Sequence, residues 1–125
     1  MKVSDKQQFQ LLKEIFVLAK SKCDTPETWT KSWSARDDGN LACNPVSRDA
    51  EKFSLDGALL HTLYVKGYES DSDIYKQTLA LVGSAIKSDP TRTKILAWND
   101  DSTHKEVLAI FDKILSFLDR KLEKS

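Results

Sequence analysis

Seven residues hold most of the chain's chemical potential: Trp29, Trp33, Arg36 and Asp37 early on, then Trp98, Asn99 and Asp100 some sixty positions later. Arginine offers a rigid fork of five N–H donors, and in this chain lysine supplies most of the positive charge, so Arg36 stands apart. Its expected partners are carboxylates that accept two parallel bonds, above all Asp100 or Asp37, with Asp56 a third candidate. In one reading that pairing is structural and pins the tryptophan segment to the start of the last helix. In the other, Trp29, Trp33 and Trp98 wall a polar pocket. There Arg36 and Asn99 would meet an anionic or planar ligand while an aspartate works as acid or base.

Other chemistry finds little support. Nucleotide-binding glycine loops, the His-Glu-x-x-His zinc helix, the Gly-x-Ser-x-Gly elbow and Cys-x-x-Cys are all missing from the sequence. His61 and His104 are the only histidines and stand far apart, so neither a metal site nor a cofactor is expected. Cys23 and Cys43 lack metal or redox spacing. Free thiols in a reducing cytosol are the simpler expectation, with a Cys23–Cys43 disulfide as the alternative. The start, Met1-Lys2-Val3-Ser4-Asp5, shows no apolar signal stretch, and no apolar run approaches the ~18 residues of a membrane span.

The order Trp29, Trp33-Ser-Ala-Arg-Asp-Asp-Gly, Phe53-Ser-Leu-Asp-Gly-Ala-Leu and Trp98-Asn-Asp resembles a small family of uncharacterised bacterial and phage proteins. That family's pattern runs Trp, Ala-Arg-Asp, Gly, a Phe-Cys-Leu-x-Gly-Ala-Leu helix, and Trp-Asn-Asp before a last helix. The likeness spans roughly residues 29 to 111 and implies no established activity. Ser54 stands where the pattern has Cys, so a thiol there is not essential to this chain.

These residues must be held by helices. A capping box of Ser4 and Gln7 opens a helix over about 5–21, with Phe9, Leu12, Ile15, Phe16 and Ala19 on one face. Residues 27–44 lose the period and read as a structured loop with room for two short strands, folded back so that both Trp29 and Trp33 are covered. Ser47 caps a second helix that runs to Lys66 and closes on Gly67. Gly57 in its middle costs ~1 kcal/mol relative to Ala, which implies close approach by another backbone, a helix or a Trp ring beside Ala50, Ser54 and Ala58. A third helix over about 72–87 follows, then a short apolar stretch at 94–98 that reads as a helical turn, with a strand as the alternative. Thr103 and Glu106 stand in capping-box register before a last helix to 122, striped by Val107, Phe111, Ile114, Leu118 and Leu122.

The fold expected is all-α, a single helical domain over 1–125 with about four main helices and one tryptophan-bearing loop. The 125 residues balance 19 basic against 19 acidic side chains, so no net field draws the chain to nucleic acid or an anionic membrane. The function expected is a small cytoplasmic binding or accessory module of a bacterium or mobile element, with a protein partner and an inhibitory role within its range. The alternative is a small hydrolase or transferase built on Arg36, Asp37, Asp100 and His61.

Overall fold

Apolar side chains at three- and four-residue steps bury Leu12, Ile15, Phe16 and Ala19 along one face of α1, Asp5–Lys22. In the computed structural model, which describes residues 5–124, this helix lies antiparallel along α5, His104–Glu123. Lys13 Nζ meets Asp119 at 2.7 Å and Lys20 Nζ meets Asp112 at 2.8 Å, which fixes the register from the outside. Phe16 and Phe111 pack edge to face at 6.5 Å inside. The expected cap Ser4 lies outside the described residues.

The last helix begins as its sequence dictates. Thr103 accepts from the Glu106 N–H at 3.1 Å, and the Glu106 carboxylate accepts from the Thr103 N–H at 2.9 Å. Ser72 caps α3, Asp73–Ile86, by accepting the Tyr75 N–H at 3.2 Å. The expected helical turn at 94–98 is a full helix, α4, Arg92–Asp100, capped by Thr91 and packed against both α2 and α3.

The second helix starts later than its cap signals suggest. Ser47 closes only a turn with Ala50, and Lys52–Phe53 forms a strand, β2, antiparallel to β1, Ala35–Arg36. The helix proper, α2, is Leu55–Val65 with Ser54 as its cap. Phe53 explains the shift: its N–H bonds the Thr28 carbonyl at 2.8 Å and its carbonyl takes the Thr30 N–H at 3.2 Å. Pairing with the tryptophan loop thus uses the backbone groups a helix would need. At the other end Gly67 adopts φ 83°, and Tyr68 N–H reaches the Leu63 carbonyl at 2.9 Å, the Schellman arrangement in which glycine has no Cβ to strain.

One cluster of buried side chains draws on all five helices and on Ala35 and Phe53 of the strand pair. The molecule is predominantly helical, as expected, with the two short strands confined to the tryptophan loop and its partner. Among the described residues no helix is long and apolar enough to cross a membrane. Cys23 is buried and Cys43 half-buried, and both are free thiols, so the disulfide alternative falls.

Candidate functional site

The structure brings the tryptophan loop onto the C-terminal end of α4, and Asn99 makes the junction. Its side chain is fully buried and uses all of its capacity. The Oδ1 atom accepts from Trp29 Nε1 at 2.8 Å and from the Leu55 N–H at 3.0 Å. Its Nδ2 donates to the Thr30 carbonyl at 3.1 Å and to Asp100 Oδ1 at 3.4 Å. One amide therefore ties the loop, the first turn of α2 and the end of α4 together. Trp29, half-buried, has the His104 ring 5.3 Å away on one side and Lys31 Nζ 5.4 Å from its ring centre. His104 in turn is anchored by a 2.8 Å contact between Nε2 and the Cys23 carbonyl.

Arg36 departs from expectation. Its fork meets neither Asp100 nor Asp37: Nε donates to Thr30 Oγ1 at 2.7 Å, one terminal nitrogen to the Asn40 carbonyl at 3.0 Å, and the other to the Lys31 carbonyl at 3.3 Å. Asp100 instead accepts the Ser32 N–H at 2.7 Å, and Asp37 Oδ1 accepts the Leu41 N–H at 2.9 Å, closing the turn that carries Asn40. The physical reason is local. The loop bends so tightly that its carbonyls and N–H groups would be orphaned, and the nearest strong donor and acceptors satisfy them. Arg36 does tie the loop together, but its bonds run to backbone carbonyls and the Thr30 hydroxyl rather than to a carboxylate.

Trp98 is half-buried against the core and shares no ring contact with Trp29 or Trp33 among the described residues. Trp33 also departs from expectation. It is 54% exposed, not covered. The preceding Ser32 sits at φ 74°, a left-handed conformation that costs a non-glycine residue about 1 kcal/mol or more, held there by Asp100 and by the Arg36 bond to the Lys31 carbonyl.

Residues 24–115 match the model of a family of unknown function, DUF6197. The chain belongs to that family. All seven candidate residues lie within the DUF6197 span, and so does the Ser54 cap. No curated protein and no solved structure matches the chain.

Two features of this DUF6197 chain escaped the sequence reading. Asp56 is fully buried in the first turn of α2, and its two oxygens accept from the Ser34 hydroxyl at 2.7 Å and from the Ser54 hydroxyl. Asp56 was expected as a partner of Arg36 inside a helix begun at Ser47, so neither its place in a first turn nor its clasp by Ser34, twenty-two residues away, was legible. A groove of about 910 Å³ runs between the end of α2, the start of α3 and Arg92, lined in part by Tyr64, Tyr68 and Tyr75. Helical spacing on α2 and α3 could have flagged Tyr64 and Tyr75, although not their meeting across the α2–α3 turn. His61 Nδ1 is buried without a partner among the described residues, and burial, then the nearby Lys22 charge, pushes its pKa below the ordinary 6.5. Among the described residues no group of three or more His, Cys, Asp or Glu could hold a metal ion.

Proposed function

We propose that this chain is a small cytoplasmic binding or accessory module of a bacterium or mobile element, which grips a protein partner through Trp33. The observation that carries this reading is the pairing of a strained backbone with an exposed indole. Ser32 is held at φ 74° by Asp100, and the next side chain, Trp33, stands 54% exposed, with Leu41 on the same loop 70% exposed. Backbone strain retained by its surroundings clusters at sites with a use, and tryptophan is enriched among the residues that anchor interfaces. Rigidity also lowers the ordering cost of association. On this view Asn99, Asp100, Arg36 and Asp37 are positioning residues, and inhibition is one form the association could take. Zero net charge favours neither nucleic acid nor membrane as the target.

The hydrolase or transferase alternative has no observation in its favour, since Arg36, Asp37 and Asp100 each spend polar atoms on loop backbone. Partner retention in the source cells tests the proposal, comparing wild type with Trp33→Ala and with Lys76→Ala, an exposed residue of α3. Trp33→Ala is expected to unfold within ~1 kcal/mol of wild type yet bind its partner roughly thirtyfold more weakly. A partner retained equally by Trp33→Ala and wild type would overturn the reading.

A further inference from the structure

Helix α5 carries its charge in two separate stripes. Asp112 and Asp119 face α1 and are paired there, with Lys20 at 2.8 Å and Lys13 at 2.7 Å. Lys113 and Arg120, one position further along in each case, face α3 instead and have no carboxylate within ion-pair distance among the described residues. Lys113 Nζ reaches only the Ala85 carbonyl, at 3.4 Å, and Lys121 Nζ lies 5.4 Å over the Phe117 ring beside them. Between the two cations runs a groove of about 310 Å³, floored by Leu81 and Ala85 of α3 and Ile114 and Phe117 of α5, with no acidic residue in its lining. In a chain of zero net charge this is a local excess of one sign over an apolar floor.

We propose that the α3–α5 groove seats an acidic amphipathic helix of a partner protein. A groove between two packed helices accepts a third by interdigitation of side chains, and its volume, at the bottom of the small-molecule range, suits a few anchoring side chains rather than an enclosed ligand. Lys113 and Arg120 are seven residues apart, about 10.5 Å along the helix axis, the rise between carboxylates at i and i+7 of a partner helix. Apolar residues at i+3 and i+4 of that helix then fall over Phe117 and Leu81. The face is separate from the Trp33 loop, and the match to a family of unknown function, which ends before Phe117 and Arg120, assigns it no role.

Fluorescence anisotropy tests this on the full chain with a labelled synthetic helix of about 18 residues, leucine on one stripe and glutamate flanking it. Binding should weaken as salt rises, fall roughly tenfold or more with the double variant Lys113→Glu, Arg120→Glu, and stay unchanged with Trp33→Ala. The decisive arm is the charge swap: a peptide with lysine for glutamate should bind the double variant better than it binds wild type. Circular dichroism confirms that the double variant is folded. A scrambled peptide of the same composition binding equally well, failure of the swap, or binding of the chain to phosphatidylglycerol vesicles but not to the peptide would each overturn the proposal.

Discussion

Asn99 makes four hydrogen bonds from a fully buried amide, and of its partners Asp100 Oδ1 is shared with the Ser32 N–H, whereas Trp29 Nε1 and the Leu55 N–H depend on the amide oxygen. Asn99→Ala would strand the buried Leu55 N–H and the Trp29 Nε1–H and leave a small void. Loss of about 3–5 kcal/mol in urea unfolding is expected, among the largest effects of any single polar substitution here. Asn99→Asp keeps the acceptor for Trp29 and Leu55 but turns the donor to Thr30 into a second acceptor, beside Asp100. It should therefore be destabilising as well, chiefly through charge repulsion. An Asn99→Ala chain as stable as wild type would mean that water replaces the amide without loss.

At the scale of elements, Gly57 and Lys87 make opposite predictions from the same physics. A Cβ on Gly57 would stand 1.8 Å from the Ser34 carbonyl oxygen, which is backbone and cannot swing away. Gly57→Ala, which in an open helix would add ~1 kcal/mol of propensity, should here lower stability by about 3 kcal/mol or more and displace the β1–β2 pair. Thermal unfolding reads the sign directly. Lys87 ends α3 at φ 58°, the left-handed position where the Ser88 N–H turns back to the Gly83 carbonyl at 2.9 Å. Nothing about that geometry needs a side chain, so Lys87→Gly should raise stability by up to ~1 kcal/mol, and a fall would mean that the Lys87 side chain packs usefully. The need for a close backbone at Gly57 was legible in the sequence, because a mid-helix glycine demands a cause. Its occupant was not, since Ser34 lies in a loop whose path no local period describes.

Across the whole molecule, burial of ionisable groups bounds the pH range of greatest stability. His61 resists protonation when folded, so below its ordinary value of 6.5 the unfolded chain takes a proton that the native one refuses, and stability falls as pH drops. Burial, with Asp24 nearby, pushes the Cys23 thiol up from 9.0 to about 12. Above pH 9 the unfolded thiol ionises while the native one stays protonated, and stability falls as pH rises; Cys43 acts in the same direction. Lys22, lowered by burial, acts oppositely below its ordinary 10.5, so the alkaline loss should be clearest above that value. Urea midpoints measured from pH 5 to 12 should show a plateau with two falling limbs, the alkaline one flattened by Cys23→Ala; an unchanged alkaline limb would place the cause elsewhere.

The sequence by itself determined what short-range forces decide. The caps at Ser72 and Thr103, the apolar faces of α1 and α5, the glycine stop at Gly67 and the predominantly helical character follow from hydrogen bonds and spacings within a few residues, and each stands in the structure, with Leu122 left at the edge of the α5 stripe. It also named Arg36, Asn99 and Asp100 as residues of consequence, from the few groups with many donors or acceptors near a loop. What those groups touch depends on contacts between distant segments. Arg36 has the same five donors whether it meets a carboxylate or three oxygens of its own loop, and the choice depends on where chain segments tens of residues apart come to rest. The same holds for the late start of α2, set by Phe53 pairing with Thr28 and Thr30, and for Trp33, whose apolar ring called for cover while the bend at Ser32 turned it outward. Local propensity differs by about 1 kcal/mol per residue, and a buried backbone group left unpaired costs as much or more, so the long-range pairing prevails wherever the two conflict.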